Sequence, residues 1–258
     1  MHFAKYRPLI ASAMLLAATQ AQAALTSYNA NGEELVYSSV SDVTWTKDGN
    51  LLGTLFASQG FNTVVDAIIA ASPTISNLPN RYSPSGIYTL SSNDFSSSGT
   101  TTWFGAMAFI NYLNSTNYAG SNKWRLPFAV TQNNEHNTPS NGSTAGNELS
   151  ELYYQELGSK APYDTYGNPQ SGYGINNTAA FDNEQSSNYW FGTEYVRTAY
   201  DALVFSTADG FQNDMFKTHQ IYAWVVSPGQ IATVPEPESV ALLLVGLSLV
   251  GGVVRRRG

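Results

Sequence analysis

Both ends of this 258-residue chain are apolar segments flanked by basic residues, so any fold has to be made by the stretch between them. Residues 1–23 carry Lys5 and Arg7, then an apolar run from Leu9 to Ala18, and close on Ala21-Gln22-Ala23, the small-x-small pattern that signal peptidase cuts. At the other end, Val234-Pro235-Glu236-Pro237 precedes an uncharged run of 15 residues, Val240 to Val254, followed by Arg255, Arg256 and Arg257. As a helix that run would measure about 22 Å, short of the roughly 20 residues that cross a bilayer comfortably. Pro235 and Pro237 keep the segment before it extended. The arginines behind it would stay cytoplasmic and leave the body outside. The chain therefore divides into a signal peptide (1–23), an exported globular domain (24–230) and a tail (231–258). The tail reads as a processing signal or as a permanent single-span anchor; Gly246, Ser248, Gly251 and Gly252 favour processing.

Between residues 24 and 234 there are 17 acidic and 7 basic side chains, a net charge of −10. An acidic body without a basic stripe argues against nucleic acid and against anionic lipid. Charged residues make up 12% of the chain, about half the usual share. Asn, Ser, Thr, Gly and Tyr take their place, which gives a polar, mostly uncharged surface suited to neutral polymers such as polysaccharide, or to an inert protein. The absence of cysteine excludes disulfides, thiolate metal sites and cysteine nucleophiles. Five Trp, sixteen Tyr and twelve Phe are available for a core instead.

The pattern predicts one or two short strands between Leu25 and Trp45, then a turn at Lys47-Asp48-Gly49-Asn50. A helix follows from Asn62 or Thr63 as cap to Ser72, with Val64, Val65, Ile68 and Ile69 on one face. Residues 73–101 read as loop with a short strand near 86–90. Trp103, Ala106, Met107, Ile110 and Leu113 give a buried helical stripe over 102–114. Another helix is expected over 147–157, ended by Gly158. Strands are expected at 189–195, 202–206 and 221–226, with a fourth near 211–217. With no βαβ alternation, the class is α+β with antiparallel sheet.

The tail resembles the PEP-CTERM sorting signal of Gram-negative bacteria. That resemblance implies signal peptidase and an exosortase as processing partners and transient insertion in the inner membrane. The protein would then reach the cell surface or extracellular space of a species that makes exopolysaccharide. In the body, Trp103 to Asn114, Tyr118-Ala119-Gly120 and Lys123-Trp124-Arg125-Leu126-Pro127 resemble the Lcl C-terminal-like domain. So do Asn147 to Gly158, Asn188 to Tyr195, Gly210-Phe211-Gln212 and Tyr222-Ala223-Trp224-Val225-Val226, in the right order over about 40–230. This implies a C-type-lectin-like fold, short helices packed on an antiparallel sheet, of the kind shared with formylglycine-generating enzymes. The oxidase chemistry of those enzymes needs cysteines, so it is excluded here. The sequence departs from the resemblance where Ser227 and Gln230 stand at positions at which related chains often carry Arg and Asp; if those two make a salt bridge in relatives, it is absent here.

No catalytic constellation stands out. His136 and His219 lack paired-histidine spacing, and no Gly-x-Ser-x-Gly elbow occurs. Glu148/Glu151, Asp182/Glu184 and Asp209/Asp214 read as solvated surface acids rather than a glycosidase pair. Asp209, Asn213 and Asp214 offer oxygen ligands for calcium, or simply make a turn and a strand start. Trp124, Trp190 and Trp224 read as core, and Arg125 as a loop pin that donates to backbone carbonyls. Tyr163, Tyr166 and Tyr173 lie in a Gly/Pro/Asn-rich loop over 158–180; they either stack on sugar rings or close the loop onto the domain. Three functions follow from these readings: a non-enzymatic surface or matrix protein associated with exopolysaccharide, a structural surface protein without ligand, or an extracellular hydrolase. If the tail is a processing signal, mass spectrometry of the surface-exposed form will find no Arg257; its presence would make the tail an anchor.

Overall fold

The computed structural model describes residues 25–136, 144–176, 178 and 180–233. The expected signal peptide, Val234, Pro235, Glu236, Pro237, the 240–254 run and Arg255 to Arg257 lie outside the described residues. No helix among the described residues is long and apolar enough to cross a membrane.

Three strands open the domain: β1 (Leu25–Ala30), β2 (Glu33–Ser38) and β3 (Val43–Thr46). Asn31 and Gly32 join the first two with φ of 53° and 87°, the pair of positive angles that a tight hairpin needs. Lys47 to Asn50 do not merely turn. Asn50 caps a helix absent from the sequence expectation, α1 (Leu51–Gln59), by accepting from Gly53 N at 3.3 Å. Gly60, at φ 92°, ends α1 and starts α2 (Phe61–Ala71), so the cap is Gly60 rather than Asn62 or Thr63. β4 (Thr74–Ser76) and β5 (Ile87–Thr89) form a small hairpin, and α3 (Trp103–Ser115) begins with Thr102 accepting from Gly105 N. The helix expected at 147–157 is an α-turn, α4 (Glu148–Ser150), that continues as a π-helical stretch over Glu151–Glu156. Then come β6 (Asn188–Glu194), β7 (Asp201–Ser206), β8 (Gln212–Phe216) and β9 (Val226–Pro228).

The class is α+β. One antiparallel sheet has the order β1-β2-β3-β9, so the last strand closes the N-terminal sheet, and a second has the order β6-β7-β8. The strand expected at 221–226 is not a strand; the ladder starts only at Val226. Its residues are extended but bond to four different places. Ile221 pairs with Thr101, Tyr222 with Asn188 and Trp190, Val225 O accepts from Thr46 N, and Val226 pairs with Arg125.

Side chains along this segment alternate between two cores. Ile221, Ala223 and Val225 enter a core with α1, α2 and α3, beside Phe56, Val64, Ile68, Phe104 and Phe109. Tyr222, Trp224 and Val226 enter a second core with Trp45, Tyr153, Tyr189 and Phe205. Strands β2, β6 and β7 divide their residues in the same way, as Leu35 and Val36 do. Trp124, Trp190 and Trp224 are all buried, and Trp224 Nε1 donates to Thr46 O at 2.9 Å. The Trp224 ring meets Trp45, Phe181 and Tyr189 at 4.8–5.6 Å between centroids. Trp224→Ala will therefore lower the unfolding free energy by about 3–5 kcal/mol in urea titration. Tyr166→Ala, at a ring 89% exposed, will change it by no more than about 0.5 kcal/mol.

Candidate functional site

A concavity lies where the β1–β2 turn meets the end of α3. After α3 the chain reverses through Asn117, Ala119 and Gly120, with φ of 51°, 52° and 81°. An alanine in the left-handed region is costly and persists only where its surroundings fix it. Here Asn31 Nδ2 donates to Ala119 O at 2.9 Å. Gly120 is needed because a Cβ there would stand 2.1 Å from the Asn31 amide. The Tyr118 hydroxyl donates to Glu33 Oε2 at 2.8 Å, and Trp124 Nε1 donates to Tyr118 O. Burial first, and Glu33 second, push the Tyr118 phenol far above its ordinary range.

These contacts shape a cleft of about 410 Å³ lined by Asn31, Glu33, Leu55, Gln59, Tyr112, Thr116, Asn117 and Tyr118. A second cleft of about 340 Å³ shares Glu33 and Tyr118 with it and adds Glu34, Lys47, Asp48, Thr54 and Asp182. Lys47 Nζ lies 3.2 Å from Glu34 and 3.1 Å from Asp182, and the two carboxylates, Asp182 foremost, hold its ammonium above the usual lysine range. Asp48 accepts from Asn50 N, Thr54 Oγ1 and Asn183 Nδ2. The result is an open groove with tyrosine rings and amides at one end and hydrogen-bonded carboxylates at the other. Such a surface can stack on a sugar face and exchange hydrogen bonds with hydroxyls.

The residues singled out in the sequence are placed elsewhere. Tyr163, Tyr166 and Tyr173 are 60%, 89% and 51% exposed, so they do not close the loop onto the domain. Of the three, Tyr163 lines a shallow cleft of about 260 Å³ with Tyr154, Lys160, Asp164 and Gln170. Tyr166 rides a turn in which Asp164 accepts from Tyr166 N and Asn168 N, each at 2.8 Å. Asp209 accepts from Phe211 N and acts on His136, Tyr153 and Tyr154. Asp214 takes the Asn134 amide and acts on Asp201. Asn213 and Asp214 are adjacent in β8 and so project to opposite faces. Among the described residues no three acidic, histidine or cysteine side chains converge on one point.

Two of the acids read as solvated are buried. Glu148 is 8% exposed and takes both guanidinium nitrogens of Arg125, at 2.7 and 2.6 Å, as well as Phe128 N. Arg125 also donates to Leu126 O, the single carbonyl of the expected loop pin. Glu151 is 7% exposed. Sequence reasoning also missed Lys217, which is fully buried; its Nζ lies 2.5 Å from Glu194 and 2.7 Å from Ala199 O, above the Trp103 ring. Burial lowers its pKa, and Glu194 opposes that shift.

Among known proteins, the Lcl C-terminal domain model matches residues 34–227, and the PEP-CTERM protein-sorting motif matches residues 233–257. No curated protein and no solved structure matches the chain. The geometry of the groove sets its own test. Asn31→Gly keeps the positive φ and loses one hydrogen bond, costing about 1 kcal/mol; Asn31→Ala adds backbone strain and will cost about 2 kcal/mol, both read by urea unfolding.

Proposed function

The chain belongs to the Lcl C-terminal domain family, and from that membership we propose a non-enzymatic exported protein that binds neutral exopolysaccharide in the Tyr112–Tyr118 groove. The PEP-CTERM motif implies export to the cell surface and processing by an exosortase. A C-type-lectin-like architecture is part of the proposal; it is supported by the first and last strands meeting in one sheet, with a second antiparallel sheet beside it.

The observation that carries the reading is the groove itself. It combines two tyrosine rings with Asn31, Gln59 and Asn117 on a domain whose cations are few. The non-enzymatic reading is supported by how its carboxylates are used. Glu33 holds the Tyr118 hydroxyl, Glu34 and Asp182 hold Lys47, and Asp48 has three donors. Glycoside hydrolysis needs one acid free to give a proton and another free to attack or activate water.

Co-sedimentation with the host's own polymer and with a neutral glucan tests the proposal. Tyr112→Ala and Gln59→Ala will each weaken binding about tenfold, while Tyr163→Ala and Tyr166→Ala leave it unchanged, and added chelator has no effect. Absence of binding at high micromolar protein would sink the ligand reading. Loss of binding in the loop variants alone would move the site to residues 158–180.

A further inference from the structure

Glu33 opens β2 on the face that carries Leu35, toward α1 and α3. That placement puts one carboxylate on the boundary between two clefts. It lines the cleft of about 410 Å³ together with Gln59, Tyr112 and Asn117. It also lines the cleft of about 340 Å³ together with Lys47, Thr54 and Asp182. Tyr118 is the other residue that lines both. The two clefts therefore meet along the hydrogen bond from the Tyr118 hydroxyl to Glu33 Oε2, at 2.8 Å.

This crossing is held from behind. Trp124 Nε1 donates to Tyr118 O, and Asn114 fixes Trp124 in turn, accepting from its N at 2.7 Å and donating to its O at 2.9 Å. Burial keeps the Tyr118 phenol protonated well above neutral pH, so its proton stays on the bond to Glu33. Glu33 Oε2 is thus occupied and its carboxylate oriented. Its second oxygen, Oε1, has no hydrogen-bond donor among the described residues.

Each cleft is near the low end of the roughly 300–1,000 Å³ that small-molecule sites enclose, which leaves room for a short piece of polymer. Lys47 is the one cation lining the second cleft, and Glu34 and Asp182 already hold it. What the crossing offers is a fixed, charged acceptor. Such a group favours a ligand that brings hydroxyl donors and repels one that brings carboxylates or sulfates.

Building on the groove reading above, we propose that the two clefts are consecutive subsites for the interior of one linear, uncharged glycan, with Glu33 Oε1 accepting a sugar hydroxyl at the crossing. The Tyr112 cleft takes one stretch of the chain and the Lys47 cleft takes the next, so no chain end is required. Glu33 is then the residue that selects against acidic sugars. A fragment long enough to enter both clefts makes its second set of contacts without a second loss of translational freedom, so affinity climbs with length until both are filled.

The test is calorimetric titration of the exported chain with a linear neutral glucan and with the host's own polymer, each cut to fragments from disaccharide to hexasaccharide. Parallel sets carry a blocked reducing end or primary hydroxyls oxidised to carboxylates. Affinity will rise about a hundredfold along the series and then level off. Blocking the end will change nothing, and oxidation will weaken the longest fragment by about tenfold or more. Glu33→Gln keeps the side chain's size and still accepts from Tyr118; it will reduce the gain with length to about tenfold. Lys47→Ala will also reduce the gain, whereas Tyr112→Ala will weaken every length alike. A flat length series, loss of binding on blocking the end, or tighter binding of oxidised fragments would each overturn the paired subsites and leave the groove as a binding place. No binding at any length would overturn the groove reading as well. Should Glu33→Gln fail to fold, Lys47→Ala and the length series on the unaltered chain decide.

Discussion

The fold depends on one extended segment, Ile221 to Val226, being shared by two cores. Alternate side chains enter the helical core and the aromatic core, while the backbone bonds to the loop before α3, to β6, to β3 and to Arg125. A strand in a continuous ladder would have one or two neighbours. This segment has four, each supplying one or two bonds, so it fixes the relative position of parts distant in sequence. Period-two alternation with both faces apolar is the pattern of a segment buried between two layers. Four of the five tryptophans reinforce this arrangement by donating their indole N–H to a backbone carbonyl: Trp103 to Phe191, Trp190 to Thr101, Trp124 to Tyr118 and Trp224 to Thr46. In a chain without disulfides, such bonds tie loops to strands across the core.

A sparsely charged body places several of its few cations where they determine structure. Arg125 spans two planar contacts to Glu148, beside the strand-closing residue Val226. Lys217 is enclosed among Glu194, Ala199 and Trp103. Buried pairs of this kind add little net stability against apolar substitutes, yet breaking one leaves an unpaired buried charge. The unpaired exception is Glu156, an acid sealed among acids and hydroxyls.

Much of the architecture was legible in the sequence where periodicity was strong. The stripe in α3, the α2 face and the three strands after 188 appear within a residue or two of their expected places. α1 was missed because Gly53 and a run of small polar residues blur its periodicity; its folding depends on the Asn50 cap and on burial of Leu51, Leu52 and Phe56. The 221–226 stretch has the composition of a strand, but whether it joins a ladder is decided by long-range partners. The groove was illegible for a similar reason: residues near 31, 59, 112 and 118 meet only after folding. One local signal was present. Asn31-Gly32 is a hairpin dipeptide, and it places Glu33 and Asn31 at the groove's rim. The sequence pointed instead to Tyr163, Tyr166 and Tyr173, where loop composition signals exposure and not enclosure.

The two ends of the domain converge. Ile231, the last residue buried at the C-terminal side, donates its N–H to the Tyr28 hydroxyl of β1, and Tyr28 also shares a hydrogen bond with Thr44. Gly229 bonds back to Asp42 and Thr44. Residues that open the domain and residues that precede the sorting motif are therefore parts of one sheet and its margin. Val234 begins the motif only three positions beyond Ile231, a span of about 10 Å at full extension. An enzyme acting on that motif must approach a folded edge, and the state of β1 bears on how firmly that edge is held.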